Sequence, residues 1–256
     1  VAIADGRHEL TALLCNPVVP TLCEADCVTA PVAFTVLRLR PTAKTTISVF
    51  SPNGDGRRDT ATGTYTFDVP SAGTLTVTNA AGATVRGPIS LGTKPSGTYA
   101  WSWNGKSNAG TVAPDGTYTV VVDTSATKNE QAGVKGVARV SVRLDRTKPA
   151  ISSLSASPTT FYPVYDGYKD TSSLGVTTKE TTSSVVVSIY NSAGSKIRTI
   201  TSTTSRPAGR VALAWNGKTG GGSLVKAGTF TYRVLVQDVA GNQTLSGKGS
   251  VTVNLK

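Results

Sequence analysis

The feature that most restricts the fold of this chain is an internal repeat. When the sequence is shifted by 112 residues, long stretches match without gaps. The tetrapeptide Trp103–Lys106, Trp-Asn-Gly-Lys, returns unchanged as Trp215–Lys218. Gly116–Thr119, Gly-Thr-Tyr-Thr, returns as Gly228–Thr231, Gly-Thr-Phe-Thr. One type of domain is therefore used twice.

Within each copy, hydrophobic residues alternate with polar ones, which is typical of half-buried antiparallel strands. The alternating residues include Tyr118, Val120 and Val122 in the first copy and Tyr232, Val234 and Val236 in the second. Charged residues make up only 16% of the chain and Gly numbers 26, which argues against a helical bundle. Each copy offers about seven strands in about 105 residues, and this predicts an all-β fold of tandem immunoglobulin-like β-sandwiches.

The segment before the first full copy resembles the end of a further copy. Residues 5–14 match the pattern of residues 115–122, and Val32–Leu39 lines up with Val137–Leu144. We therefore expect residues 1–41 to be the C-terminal hairpin of an incomplete immunoglobulin-like domain. An isolated hairpin is marginal in water, so it would belong to a longer chain or dock on a neighbouring domain or molecule.

The two full copies then follow in order. We expect residues 42–148 to form an immunoglobulin-like domain with a calcium loop near its start, and residues 149–256 to form a second domain. Arg40-Pro41 and Thr147–Pro149 are the short linkers that this division predicts.

The sharpest motif in the sequence is the loop Ser-Pro-Asn-Gly-Asp-Gly-Arg-Arg-Asp. Asn53, Asp55 and Asp59 place side-chain oxygens at positions 1, 3 and 7, and the carbonyl of Arg57 is available at position 5. Hard oxygen ligands at alternate positions suit Ca²⁺, and the intervening glycines let the backbone curl around an ion. The sequence predicts a calcium site here. The alternative is an Asx-rich turn whose side chains satisfy only backbone N–H groups.

The second copy carries a weaker version of this loop. Asp166 and Asp170 occupy matching positions, but Val164 replaces the amide ligand. Two carboxylates without a third ligand bind calcium weakly. We therefore expect this weak second metal loop to be free of metal.

Three cysteines, Cys15, Cys23 and Cys27, lie close together near the start of the chain. A zinc site needs four ligands, and His8 is the only histidine in the sequence. One disulfide with one spare thiol is the simpler interpretation. Cys15 and Cys27 are the first choice because both lie near predicted strand ends, and a disulfide favours an exported protein.

The charge of the chain bears on its partners. With 26 Lys and Arg against 15 Asp and Glu, the net charge is +11, and basic chains commonly meet anionic partners. The basic residues are scattered and have no interleaved aromatic platform, so we expect no nucleic acid. An anionic cell-wall polymer, a glycan or a membrane surface is a better candidate than nucleic acid, and a basic face that is merely solvated is a simpler interpretation than any of these. Apolar runs fall short of the roughly 18–20 residues that a spanning helix needs, so no transmembrane segment is expected.

Two further patterns argue against a site on the strands. Tyr99, Trp101 and Trp103 alternate along one strand, as in a sugar-binding platform, but the second copy has Val211 and Leu213 at the first two matching positions. That exchange favours core packing. Paired carboxylates and a glycine-rich phosphate loop before a helix are both missing from the sequence, so we expect no enzyme.

Three turn motifs carry a family resemblance. Asn79–Gly82, Trp103–Lys106 and Ala113–Tyr118, with their counterparts in the second copy, resemble the Ig-like domain of the bacterial flagellar hook-assembly (hook-capping) protein. The Ser-Pro-Asn-Gly-Asp-Gly loop is similar to loops that open calcium-associated repeats in large secreted and surface proteins. The resemblance covers about residues 45–256 and implies the fold. Because the hook-binding remainder of the flagellar protein has no counterpart here, we expect no flagellar role.

These observations together predict a non-catalytic structural module of a secreted or cell-surface bacterial protein. It would be a stalk, adhesin or extracellular fibre subunit, stiffened by calcium and associating with itself or with neighbouring Ig-like domains. The alternative is an accessory carbohydrate- or cell-wall-binding module of a secreted hydrolase. In that case Tyr162, Tyr165 and Tyr168, clustered in the second loop, would contact the ligand.

Overall fold

The computed structural model describes residues 6–15, 27–36, 38–127 and 132–255. All regular secondary structure in these residues is β-strand, and they include no helix capable of crossing a membrane. The all-β fold predicted from the period of two is confirmed.

The chain begins with a hairpin. Strands β1 (Gly6–Cys15) and β2 (Cys27–Val36) pair antiparallel as a two-stranded sheet, with Gly6 opposite Val36 at one end and Cys15 opposite Cys27 at the other. A hairpin is therefore present within residues 1–41. That it is the end of a further repeat stays a prediction.

The first sandwich consists of a three-stranded and a five-stranded sheet, in the orders β3-β5-β8 and β4-β10-β9-β6-β7. Its strands are β3 (Thr42–Ile47), β4 (Val49–Phe50), β5 (Ala61–Phe67), β6 (Ser71–Asn79), β7 (Thr84–Lys94), β8 (Gly97–Trp103), β9 (Gly116–Ala126) and β10 (Lys135–Leu144). The short strand β4 runs parallel to β10, while β6 and β7 are antiparallel.

The second sandwich repeats this arrangement, with sheets β11-β13-β16 and β12-β19-β17-β14-β15, and with β18 also paired to β17. Its strands are β11 (Ile151–Ser157), β12 (Thr160–Phe161), β13 (Ser172–Thr178), β14 (Thr182–Tyr190), β15 (Lys196–Ser202), β16 (Gly209–Trp215), β17 (Gly228–Asp238), β18 (Gln243–Leu245) and β19 (Gly249–Val253). Strand β12 runs parallel to β19, as β4 does to β10. The internal repeat is thus a repeat of sheet topology as well as of sequence.

The tryptophans of the two Trp-Asn-Gly-Lys turns are buried in the sandwich cores. The Trp215 ring packs edge-on against Phe161 and Phe230, with ring centroids 5.4 and 5.2 Å apart. Its Nε1 donates to the carbonyl of Lys218 at 2.9 Å, so the buried indole also closes the turn that follows it. Trp103 repeats both features. Its ring packs edge-on against neighbouring aromatic rings, and its Nε1 donates to the carbonyl of Lys106, in the turn that follows it, at 3.0 Å.

The aromatic row on β8 serves packing, as the comparison of the two copies predicted. Trp101 and Trp103 are buried. The Tyr99 ring lies 5.5 Å from that of Tyr65 and 5.9 Å from that of Phe67. These rings stabilise the first sandwich, and they do not form an open sugar-binding platform.

Contacts divide the chain into two compact units. The first comprises Val1–Lys44, Gly63–Trp101 and Thr119–Val140, and the second comprises Thr45–Thr62, Ser102–Tyr118 and Ser141–Lys256. The second unit therefore holds the loop that follows β4, the linker that follows β10 and the whole second sandwich. The contacts of the candidate site lie within that unit.

Candidate functional site

The predicted calcium loop, residues 51–59, is organised around the carboxylate of Asp59. The backbone N–H groups of Gly54 and Gly56 donate to its two oxygens, each at 2.8 Å. Both glycines have positive φ, +80° and +79°, which a residue without Cβ adopts at no steric cost. The glycines of the motif therefore turn two N–H groups onto one carboxylate.

The remaining predicted ligands belong to the same hydrogen-bond pattern. Arg57 N–H donates to Asp55 Oδ1 at 2.8 Å, and Asp55 N–H donates to Asn53 Oδ1 at 3.0 Å. These are the Asx-type bonds that the alternative interpretation of the motif predicts. The structure thus brings all four predicted ligand residues into one loop, and the side-chain oxygens of Asn53, Asp55 and Asp59 accept from its own backbone N–H groups.

The matching loop of the second sandwich, residues 162–170, is built the same way. Tyr165 and Gly167 donate from their backbone N–H groups to the two oxygens of Asp170, at 2.8 and 2.9 Å. Tyr165 has φ of +63° and so takes the left-handed conformation that a glycine holds in the first loop. The two carboxylates have the same structural role.

A second bond repeats as well, because Tyr168 N–H donates to Asp166 Oδ1 at 2.9 Å just as Arg57 does to Asp55. The second loop lacks the amide ligand and still has this geometry. Hydrogen bonding therefore accounts for the shape of both loops without an ion.

The donor chemistry of the first loop nevertheless suits calcium. Two carboxylates, an amide oxygen and a carbonyl are hard oxygen ligands, and an oxygen that accepts one N–H keeps a further lone pair. Among the described residues, no three His, Cys, Asp or Glu side chains gather into a group that would hold a metal. The calcium site at Asn53, Asp55, Arg57 and Asp59 fits its donors and stays a prediction.

The first loop also contacts the turn that follows β17. Asn53 Nδ2 donates to Asn242 Oδ1 at 3.3 Å. Gly241, with φ of +99°, lies directly against the loop, since a Cβ placed on it would be 3.1 Å from the carbonyl oxygen of Arg57. The loop and the turn belong to the same compact unit. This part of the first sandwich therefore rests on the second.

Asn242 is the centre of the junction between the two sandwiches. Its buried side-chain amide donates to the linker carbonyls of Asp145 and Thr147, at 2.8 and 3.1 Å, and lies 2.9 Å from Asp238 Oδ2. Asp238 Oδ1 in turn accepts from the backbone N–H groups of Ala240 and Asn242, at 2.8 and 2.9 Å. Each buried carbonyl left unpaired costs about 1–3 kcal/mol, so this amide holds the linker in place.

Three acidic side chains face this junction. Burial raises the pKa of Asp238, and the negative charge of Asp145 adds to that effect. Burial likewise raises the pKa of Glu180, with the charges of Asp238 and Asp145 contributing. Arg143 Nη2, 2.9 Å from Asp145 Oδ2, supplies one compensating positive charge. The folded form of the junction is therefore less stable when Asp145, Asp238 and Glu180 are all ionised.

The second loop carries tyrosine rings and charges of both signs, since Asp166 and Asp170 lie in the same loop as Lys169. The rings of Tyr162 and Tyr168 stack with their centroids 6.0 Å apart. Lys169 Nζ lies 5.1 Å from the centre of the Tyr168 ring, and Lys218 Nζ lies 5.0 Å from that of Tyr165. The three predicted contact tyrosines thus form one surface, in which lysines lie over two of the rings.

The predicted disulfide falls in the hairpin. The backbone register places Cys15 directly opposite Cys27 at the ends of the two strands. Directly opposed antiparallel residues have Cα atoms about 4.5–5.5 Å apart, which is within the range that a disulfide spans. Cys23 lies outside the described residues.

Sequence reasoning missed the turn at residues 238–242. Its sequence, Asp-Val-Ala-Gly-Asn, contains the Asp, Gly and Asn residues that favour tight turns, so a turn was predictable there. Its contact with a loop nearly two hundred residues earlier was not.

Comparisons with known proteins agree with this architecture. The family model described as FlgD Ig-like domain matches residues 50–128 and again residues 164–254. No curated protein matches the chain.

Solved structures also resemble it. A tetra-tandem repeat from the extending region of a large adhesion protein is 22% identical, with a TM-score of 0.33, over 99% of this chain and 58% of that one. FlgD from P. aeruginosa is 20% identical, with a TM-score of 0.31, over 56% of this chain and 89% of that one. Dimeric latent PorU from Porphyromonas gingivalis is 14% identical, with a TM-score of 0.34, over 98% of this chain and 24% of that one. The chain thus spans only part of the length of the adhesion-protein repeat and of PorU.

Proposed function

This chain belongs to the FlgD Ig-like domain family in both of its sandwiches, and from that membership we propose that it is a non-catalytic structural module of a secreted or cell-surface bacterial protein. In this proposal the module acts mechanically. It spaces or supports other parts of the protein, and the fixed connection between its sandwiches carries load along the chain.

The junction at Asn242 is the observation that carries this proposal. A buried amide bonded to two linker carbonyls, beside a glycine packed on the preceding loop, couples the linker to the second sandwich. A flexible tether would need none of these contacts, because a mobile linker satisfies its carbonyls with water. The contacts support a connection that resists bending.

We further propose that the first loop binds a calcium ion. Asn53, Asp55, Asp59 and the carbonyl of Arg57 would hold the ion. A bound Ca²⁺ draws several oxygens onto one centre and so stiffens the loop. Because the same loop contacts Gly241 and Asn242, its stiffness bears directly on the junction.

The proposal is tested by adding one methyl group at the junction. In Gly241→Ala the new Cβ would lie 3.1 Å from the Arg57 carbonyl oxygen, closer than ordinary contact. We expect it to lower the free energy of unfolding of the second sandwich by about 1–3 kcal/mol through overpacking, and to broaden the distribution of molecular dimensions seen by small-angle X-ray scattering. Thermal unfolding with the same samples measures the first effect.

Gly222→Ala is the matched control. Gly222 also has positive φ, +88°, but a Cβ there would meet nothing within 4 Å. Both variants therefore carry similar backbone strain, and only Gly241→Ala disturbs the junction. Equal stability losses and unchanged scattering in the two variants would contradict a connection that resists bending.

A further inference from the structure

We propose that a cavity on the outer face of the second sandwich binds a phosphate group of an anionic cell-surface polymer. The cavity has a volume of about 170 Å³ and is lined by Tyr190, Gly194, Thr231, Arg233 and Lys248. Pockets that enclose drug-sized ligands measure roughly 300–1,000 Å³, so this cavity suits one small group of a larger partner. The site goes beyond the proposed mechanical function, and the choice of a cell-surface polymer as carrier of the phosphate rests on that function.

The cavity lies where the strand beside β17 is interrupted. Leu235 of β17 is opposite Leu245 of β18, but Tyr232, three residues earlier, is opposite Gly249 of β19, four residues later. One extra residue therefore forms a bulge between β18 and β19, and Lys248 lies in it. In the first sandwich the single strand β10 occupies this place. The break, and with it the cavity, belongs to the second sandwich.

Arg233 is held in place by a fixed neighbour. It lies on the outer face of β17, and its Nε donates to the carbonyl of Ser246 at 3.1 Å. Ser246 is buried, its N–H donates to the carbonyl of Val234, and its hydroxyl accepts from the N–H of Val234, each at 2.8 Å. Among the described residues, none accepts a hydrogen bond from the two Nη groups of Arg233. A guanidinium fixed in this way is preorganised for phosphate.

The other polar side chains of the cavity are also hydrogen-bond donors. Tyr190 of β14 lies directly opposite Thr231 of β17, so two hydroxyl groups adjoin the guanidinium on one side. Lys248 adds an ammonium on the side of β19, and its backbone is restrained because a Cβ on Gly249 would overlap the ring of Tyr232. A phosphate, whose oxygens point in several directions, matches donors on three strands better than a planar carboxylate does.

The acidic residues of the second sandwich lie away from the cavity. Residues 149–256 contain eleven Lys and Arg, and their acidic residues are Asp166, Asp170, Glu180 and Asp238. Asp238 is on the inner face of β17, five residues or roughly 17 Å beyond Arg233, and Glu180 lies near it. Loop 162–170 follows Phe161, which pairs with the end of β19 that is five residues from Lys248. These separations exceed the Debye length of about 8–10 Å, so the cavity keeps a positive potential.

The first sandwich supplies an internal comparison. The shift of 112 residues places Val121, which is buried, at the position of Arg233. Arg139 is the counterpart of Lys248, since each lies five residues before the strand end that pairs in parallel with a short strand. The first sandwich therefore has a cation at the second position and no guanidinium at the first. A variant of Arg139 removes the same charge without touching the cavity.

NMR spectroscopy of the ¹⁵N-labelled full chain, titrated with inorganic phosphate at constant ionic strength, tests the proposal. The backbone amide signals of Thr231, Arg233 and Lys248 are expected to shift and to saturate. Arg233→Gln should raise the Kd for phosphate at least about tenfold, because charge-assisted hydrogen bonds are lost. Lys248→Gln should raise it about two- to fivefold, since an exposed ammonium contributes less. The same spectra show whether each variant is folded.

Arg139→Gln is the matched control and should leave the Kd for phosphate unchanged. If it weakens binding as much as Arg233→Gln does, phosphate responds to net charge alone and the proposal is overturned. A wild type whose amide signals show no saturable shift would overturn it as well. So would a stronger response to acetate than to phosphate, because that result would indicate a carboxylate ligand.

A second experiment identifies the carrier of the phosphate. The full chain is expected to bind immobilised poly(glycerol phosphate), and Arg233→Gln should abolish that binding. Cosedimentation with phosphatidylglycerol vesicles, lost in the same variant, would overturn the polymer in favour of a lipid headgroup. Binding of inorganic phosphate without binding of polymer or vesicles would overturn it in favour of the free ion. None of these outcomes bears on the Gly241→Ala test of the mechanical function.

Discussion

At the scale of the residue, the two loops show one carboxylate organising a short stretch of backbone. Asp59 and Asp170 each accept two N–H groups, and the chain around them passes through left-handed conformations. Arg58 and Lys169 take up positive φ, +49° and +52°, although neither is a glycine. Such conformations cost on the order of 1 kcal/mol, and the charge-assisted bonds to the carboxylate offset that cost.

Because the two loops are built alike, they separate the structural role of the carboxylate from calcium binding. Asp59→Asn and Asp170→Asn should each lower the free energy of unfolding by about 1–3 kcal/mol in chelator, since the amide keeps one uncharged acceptor oxygen and leaves the second backbone N–H facing an NH2 donor. In millimolar calcium the melting temperature of the wild type and of Asp170→Asn should rise. Asp59→Asn should show no such rise, because it loses a proposed ligand. Differential scanning calorimetry with and without calcium measures all three.

Two results of this calorimetry would contradict calcium binding by the first loop. If calcium stabilises Asp59→Asn as much as the wild type, the loop is an Asx-rich turn and nothing more. If calcium stabilises none of the three proteins, the ion is excluded from the proposed function while the junction at Asn242 is untouched.

At the scale of the element, the hairpin of β1 and β2 raises the question of what holds it together. Its two ten-residue strands form a sheet of their own among the described residues. Two strands alone are marginally stable in water. A slip of one residue in their pairing would move every side chain to the other face. A covalent link at one end would stabilise the hairpin and its register together.

The register makes a definite prediction for the cysteines. We expect a disulfide between Cys15 and Cys27, with Cys23 left as a free thiol, because the first two lie opposite each other. For a loop of this length the link contributes roughly 3 kcal/mol to the hairpin. Mass spectrometry of peptides from the non-reduced protein should find Cys15 joined to Cys27. Cys23→Ser should keep that link, and a link through Cys23 in the wild type would show the pairing to be wrong.

At the scale of the whole molecule, the connection between the sandwiches depends on buried polar groups. Asn242 bonds the linker, and Asp238, Asp145 and Glu180 lie around it. Burial without full charge compensation raises the pKa of Asp238 and of Glu180. The same groups that hold the linker therefore make its stability depend on pH.

The sign of this dependence follows from linkage. A carboxyl whose pKa is raised in the folded state binds its proton first as the pH falls, so these two groups favour folding more at mildly acidic pH than at pH 7. Glu180→Gln removes the charge and keeps an acceptor for the neighbouring N–H. We expect it to be more stable than the wild type at pH 7. The gain should shrink as the pH falls and disappear only well below the ordinary glutamate pKa of about 4.3, where the carboxyl is protonated in both states.

Asp115→Asn is the control of opposite sign. Burial acts to raise the pKa of Asp115, but hydrogen bonds from Arg146 lower that pKa overall. One of these bonds joins Arg146 Nε to Asp115 Oδ1 at 2.9 Å. This variant should be less stable than the wild type at pH 7, and the deficit should shrink as the pH falls through the lowered pKa of Asp115. Urea unfolding from pH 7 down to about pH 2 measures both variants, since the lowered pKa of Asp115 lies below the ordinary aspartate value of about 3.9. A stability difference for Glu180→Gln that is constant across this range would contradict the proposed effect of burial.

The sequence by itself determined the local features of this protein. A period of two dictates strands, and a shift of 112 residues dictates a duplicated domain. The motif at Asn53–Asp59 and its counterpart dictate twin loops. These features were predictable because each depends on residues close together in the chain, whose alternation, glycines and Asx side chains restrict φ and ψ directly.

Only the tertiary structure decided what these elements touch. Asn53 and Asn242 are 189 positions apart, and their contact depends on the path of every strand between them. No local pattern distinguishes an Asn that caps its own turn from one whose buried amide holds a distant linker. The role of Asn242 at the junction, on which the proposed mechanical function depends, therefore arises from packing between sandwiches, which period and spacing do not encode.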